Sequence, residues 1–202
     1  MGIGELHGQL DLFNEICRQE RIVLSGLRMA ELGNQRIRAA ILGEEFPAKR
    51  LFKALGVTHT SIDLNGQDGA LPLDLSQPIP THYHGCFDLV TDFGTAEHVE
   101  TSQYRCWRNV HEMCRPGGWM LHTLPEIGSW PRHGRWHYAL GRLLKLAWVC
   151  GYGIAAARRH EYTHHDGRLQ NSLLVCFIRN LASFIDEAAF QTIMFPDGQP
   201  SY

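Results

Sequence analysis

Leu6, Leu10, Phe13 and Ile16 recur at helical spacing with Asp11, Glu15 and Arg18 between them, which predicts an amphipathic helix over 6–20. The short apolar run in RMAELGNQ (28–35) reads as a strand that ends near Gly33, and GEEFPAKRLFKALG (43–56) reads as a helix stopped by Gly56. HTSIDLNG (59–66) is a second buried strand closed by Asn-Gly, and ALPLDLSQPIP (70–80) is a brief extended piece ended by prolines. CFDLVTDFG (86–94) carries the strongest strand pattern of the chain. EHVETSQYRCWRNVHEMC (97–114) has helical length before Pro116-Gly117-Gly118, and GGWMLHTLP (117–125) is a further strand.

A loop rich in Gly, Pro, Trp and His (126–136) leads into an apolar helix over 138–153. Two strands follow, 154–164 and 171–179, with Asp166-Gly167 between them as a hairpin signal. The segment 183–194 reads as a short closing helix. These elements divide the chain into a helical lead-in (1–25), an α/β domain (26–181) and a C-terminal helix and tail (182–202). Alternating strands and helices predict a doubly wound, mostly parallel sheet. The terminal hairpin is an exception, because it makes one of the last two strands antiparallel, unlike the all-parallel sheet of a dinucleotide-binding Rossmann domain.

Composition narrows the function classes. The 202 residues carry 19 Lys and Arg against 21 Asp and Glu, a net charge of −2, so no basic surface points to nucleic acid or anionic lipid. The longest apolar stretch, 143–157, contains Lys145 and falls short of the roughly 20 apolar residues of a membrane span. The N-terminus lacks a basic and apolar leader, and Leu6 stands where a myristoylation signal takes Ser or Thr, so the expected location is cytoplasmic. The six cysteines form no CxxC pair and read as reduced core residues.

In doubly wound sheets, ligands bind outside the carboxyl ends of the strands. Those ends are Glu31–Gln35, Asp63–Gly66, Asp74, Asp92–His98 and His122–Pro125, and four of the five carry a carboxylate. Such a rim suits a ligand that is cationic or rich in hydroxyls and serves a phosphate-bearing cofactor poorly.

The succession AELGNQ, SIDLNG, LPLDLSQP, FDLVTDFGTAEHVE and MCRPGGWMLHTLP resembles the motif series of the class I S-adenosylmethionine-dependent methyltransferases, in particular their small-molecule branch. The resemblance spans roughly 28–180 and implies a seven-stranded, mostly parallel Rossmann-like sheet closed by an antiparallel hairpin. It implies S-adenosylmethionine as cofactor, with Asp63 and Leu64 at the ribose and Glu31, Gly33, Asn34 and Gln35 at the methionine part. Asp74 and Leu75 would lie near the adenine, and Asp92, Phe93 and Gly94 along the cofactor below the acceptor. One departure stands out: the loop keeps Gly33 but has Gln35 and Ile37 where the family repeats glycine, and a Cβ at either position narrows the cleft.

A sulfonium methyl is already activated, so the protein's task is alignment and exclusion of water, with a general base where the acceptor is a hydroxyl, phenol or amine. His98, His122 and His133 are the candidate bases, with His137 nearby, and Trp130, Trp136 and Tyr138 could wall the acceptor. His160, Glu161, His164, His165 and Asp166 could bind zinc in principle, but alternation along a strand tends to keep them apart. Asp92, Glu97 and His98 are an alternative divalent-metal set, although no metal is required. The expected function is methyl transfer to a small-molecule acceptor, without nucleic-acid or membrane partners. The rival is a catalytically silent methyltransferase-like binding or regulatory subunit. An NAD-dependent oxidoreductase is disfavoured because no GxGxxG opens the first helix.

Overall fold

The computed structural model describes residues 2–4, 9–39, 44–163 and 167–196. In chain order, β1 (Gly2–Gly4) is followed by α1 (Gln9–Gln19), β2 (Arg28–Leu32), β3 (Arg36–Ala39), β4 (Glu44–Pro47), α2 (Ala48–Ala54) and β5 (Thr58–Ile62). Then come β6 (Phe87–Phe93), α3 (Gln103–Met113), β7 (Cys114–Pro125), α4 (Leu140–Val149), β8 (Gly153–Thr163), β9 (Leu169–Ile178) and α5 (Glu187–Met194).

The main sheet has the order β5-β2-β6-β7-β9-β8. β5, β2, β6 and β7 are parallel, and β9 runs antiparallel to both β7 and β8. The hairpin expected at the end of the domain is therefore present, although its turn residues 164–166, with His164, His165 and Asp166, lie outside the described residues. This central sheet has six strands, not seven. The missing strand corresponds to 70–80, where Leu71 alone bridges to Ile62 while Pro72, Pro78 and Pro80 have no N–H to give a ladder.

A second departure follows Gly33. Where a helix was expected over 43–56, Glu44–Pro47 is a strand and the helix is confined to Ala48–Ala54. Pro47 explains the boundary, since its ring favours the position just before the first helical turn and not the interior. β3 pairs antiparallel with β4 and parallel with β1, making a small three-stranded sheet beside the main one.

Alternation along the strands fills two apolar layers. Met29, Leu89, Phe93, Leu174 and Cys176 face α1 and α2, where Phe13, Ile16 and Phe52 pack. Ala30, Leu32, Val90, Leu173, Val175 and Phe177 face α3, α4 and α5, meeting Trp107, Val110, Leu146 and Phe190. Phe87 joins the second layer despite its odd number, at the point where the β6–β7 register shifts between Phe87 and Leu89. No helix among the described residues is long and apolar enough to cross a membrane.

Within the second layer, His111 is buried and hydrogen-bonded through Nδ1 to the Tyr152 hydroxyl at 2.7 Å. Burial, with the charges of Arg179 and Arg108 adding to it, pulls its pKa down to about 4. The unfolded chain therefore takes up this proton first, and stability is expected to fall as pH drops from about 6.5 towards 4. Replacing His111 by Phe should flatten that part of the curve while lowering stability at pH 7 by about 1–3 kcal/mol, because the Tyr152 hydroxyl loses its imidazole partner and keeps only the weak Cys150 thiol. Urea unfolding across this pH range measures both effects.

Candidate functional site

The chain leaves β2 for β5 on one side and returns to β6 on the other, so strand order reverses between β2 and β6. A cleft of about 700 Å³ opens beyond the carboxyl ends of these strands, lined by Gly33–Gln35, Ile62–Leu64, Leu73–Ser76, Gly94–Thr95, His98–Thr101 and His133. This is where doubly wound sheets bind ligands.

The loop after β2 is held by hydrogen bonds from several directions. Gly33 sits at φ +77, and a Cβ there would lie 2.5 Å from Thr95 Oγ1, so glycine is required. Gln35 folds inward: its Nε2 donates to Leu32 O at 3.1 Å and to Thr95 Oγ1 at 2.9 Å. Thr95 Oγ1 in turn donates to Leu32 O at 2.9 Å, tying the ends of β2 and β6 together. The oxygens Gln35 Oε1 and Asn34 Oδ1 are buried and accept no hydrogen bond. Ile37 does not reach the cleft, because it packs in the layer with Phe13 and Phe52.

Asp63 stands at the end of β5. Its Oδ2 accepts from Asn34 N at 2.9 Å and its Oδ1 from Asn65 N at 3.0 Å. A carboxylate has about four lone-pair sites, so two remain for a ligand. Asp74 uses Oδ1 to accept from Ser76 N at 2.8 Å, a local turn that presents Asp74, Leu75 and Ser76 along one wall.

Other candidates lie behind the cleft. Glu31 is wholly buried, accepts from Gln35 N at 3.3 Å, and has His59 Nε2 at 3.5 Å; burial pushes its pKa up, with His59 opposing. Asp92 is likewise buried and accepts from Thr95 N at 2.9 Å, Ala96 N at 3.1 Å and His122 Nδ1 at 3.0 Å. Phe93 points into the layer under α1, with its ring 6.3 Å from Phe13. His122 is 1% exposed and stacked on Trp107 at 4.4 Å, so it does not face the cleft.

One end of the cleft collects Glu97, His98 and His133. Glu97 is almost wholly buried, with its Oε1 3.5 Å from His133 Nε2 and 3.9 Å from His98 Nε2. Burial drives the Glu97 carboxyl up to about 7; His133 opposes this and the charge of Asp92 adds to it. Burial, then the neighbouring His133, lowers the pKa of His98. Asp92, by contrast, does not join this cluster, since His122 and two backbone amides occupy it.

No protein-family model matches the sequence, and no curated protein is similar to it in sequence. Solved structures are similar in fold. A 1,6-didemethyltoxoflavin-N1-methyltransferase of Burkholderia thailandensis, with S-adenosylhomocysteine bound, superposes at a TM-score of 0.54 and 14% identity over 87% of this chain and 84% of that one. The N-methyltransferase NodS of Bradyrhizobium japonicum, also with S-adenosylhomocysteine, gives 0.56 and 15% over 86% and 87%. The fold is that of the class I methyltransferases. The [4+2]-cyclase SpnF is similar too, at 0.56 and 15% over 84% of this chain and 80% of that one. At such identities the likeness covers the fold, and the chemistry must be argued from the cleft.

Proposed function

We propose that the cleft binds S-adenosylmethionine and that the protein transfers its methyl group to the oxygen or nitrogen of a small molecule. One observation carries this reading. The lining residues include Asp63, Asp74 and Glu100 and, among the described residues, no Lys or Arg. A pyrophosphate would find no Lys or Arg partner there, whereas an ammonium, a sulfonium and a ribose diol all favour such a rim.

The unpaired acceptors on Asn34 and Gln35 support the same fit, because they need a donor and an ammonium group has three. Asp63 would accept from the ribose diol through its free lone pairs, and Asp74 with Leu75 would flank the adenine. Bound there, the cofactor supplies an activated methyl on a good leaving group. The chain's part is then to exclude water and orient the acceptor. With His122 turned away, His98 and His133 are the two candidate histidines left at the cleft to take a proton from the acceptor, the first half-exposed and the second partly so.

The test is thermal unfolding with S-adenosylmethionine, S-adenosylhomocysteine and NAD. Ligand at about 100 times Kd adds about 2.7 kcal/mol, an upward shift of roughly 5–10 °C at this chain length. Both adenosyl ligands should give it and NAD should not. Absence of any shift at millimolar adenosyl ligand would reject the reading in favour of a silent, partner-binding protein.

A further inference from the structure

The geometry points to a divalent transition-metal site formed by Glu97, His98 and His133 at the end of the cleft. The three offer one carboxylate oxygen and two imidazole nitrogens, all within 4.8 Å of one another. Tetrahedral ligands at about 2.0–2.2 Å from zinc stand about 3.3–3.6 Å apart, so the Glu97–His133 separation of 3.5 Å already fits. The 3.9 Å to His98 exceeds that span, so its half-exposed ring would have to turn inward to complete the set.

The burial of the carboxylate supports a bound cation, and the turn opposite it holds the ligands together. Glu97 Oε2 is buried without a hydrogen-bond partner, an arrangement that costs free energy unless something positive completes it. The turn that delivers His133 is also built against Glu97 at a conformational cost. Trp130 and Arg132 adopt φ values of 56 and 65, unusual for residues with a Cβ. Gly134 packs so closely that a Cβ would lie 2.7 Å from Glu97 Cγ. Arg135 N and Trp136 N then donate to Glu97 O at 2.9 and 3.2 Å, and His137 Nε2 donates to His133 O at 2.9 Å. On the other side, Asp92 fixes the amides of Thr95 and Ala96 at the start of the turn that carries Glu97 and His98.

Two His and one carboxylate leave coordination positions open, and His98 and His133 both line the cleft. With the ion bound, His98 and His133 would be ligands in place of the bases named above, and an acceptor hydroxyl held at an open position would ionise near neutral pH, losing its proton to solvent, and be presented as an oxyanion. That role rests on the methyl-transfer reading of the cleft; the site itself rests only on the three side chains.

Calorimetric titration of metal-stripped protein with Zn²⁺, in the absence of adenosyl ligand, tests the site. We expect one equivalent bound, weakened by at least about 10–100-fold in Glu97→Gln and in His133→Ala, since loss of a ligand costs no less than loss of its outer partners. His160→Ala, on β8, should bind as the parent does. Circular dichroism checks that Glu97→Gln folds, and His133→Ala on its surface turn gives a second reading if it does not. No saturable binding by the parent protein, or equal binding by the parent and both ligand variants, would overturn the site. A thermal shift with S-adenosylhomocysteine but no Zn²⁺ binding would remove the metal and keep the transfer reading; Zn²⁺ binding without that shift would do the reverse.

Discussion

Asp92→Ala is expected to lower the unfolding free energy by about 3–5 kcal/mol, a drop of roughly 6–20 °C in Tm. The side chain is fully buried, and its two oxygens satisfy Thr95 N, Ala96 N and His122 Nδ1. Alanine leaves all three donors without partners where water does not reach, at about 1–3 kcal/mol each before any relaxation. Asp92→Asn separates hydrogen bonding from charge. Its Oδ1 can still cap the two amides, and His122 can switch tautomer to accept from the new amide, so the loss should shrink to about 1–2 kcal/mol. Urea unfolding of the three proteins measures this, and equal losses for Ala and Asn would show that the charge, not the donors, matters. Because these amides begin the turn bearing Glu97 and His98, the Ala variant should also lose the end of the cleft that collects Glu97, His98 and His133.

Much of the α/β order could be read from the residues because it rests on local pattern. β6 is buried along almost its whole length and carries the apolar Phe87, Leu89, Val90 and Phe93, and β8 and β9 are long strands joined through a short connection. The elements that went unread depend on tertiary pairing. β1 is three residues with two glycines, and β3 mixes Arg36 with Ile37; each becomes a strand only by pairing with the other or with β4. The expected helix over 43–56 fails at Pro47, and the seventh strand fails at Pro72, Pro78 and Pro80, where the backbone has no donor.

The cleft shows the same division. Asp63 and His98 lie just after strand ends, which the topology alone brings to one rim, and Asp74 reaches the same rim beyond the single bridge of Leu71 to Ile62. Side-chain direction was not legible: Glu31, Asp92, Phe93 and His122 lie near those ends but point into the protein. Nor could the sequence show that Gln35 turns back onto Leu32 and Thr95, which leaves the cleft open, or that Ile37 belongs to the core. The approach of His133 to Glu97 depends on left-handed backbone at Trp130 and Arg132, residues whose composition gives no hint of it.

Asp63→Ala carries the largest expected effect on binding. A charged acceptor contributes about 1.5–3 kcal/mol per hydrogen bond, so losing two bonds to a diol should weaken S-adenosylhomocysteine by about 10²–10⁴-fold and erase its thermal shift. The same substitution frees Asn34 N and Asn65 N, so part of the loss would come from a loosened loop. Those two amides are partly or fully accessible to solvent, and their release should cost the free protein only about 1 kcal/mol. Calorimetry with S-adenosylhomocysteine alongside urea unfolding separates the two contributions. A large loss of affinity with little loss of stability would place Asp63 at the ligand; unchanged affinity would restrict it to shaping the loop and move the diol to another acceptor on the rim, of which Asp74 is the next candidate. Asp63→Asn discriminates further, since it keeps one acceptor oxygen but no charge, and should fall between the parent and the Ala variant in affinity while retaining the Asn34 contact.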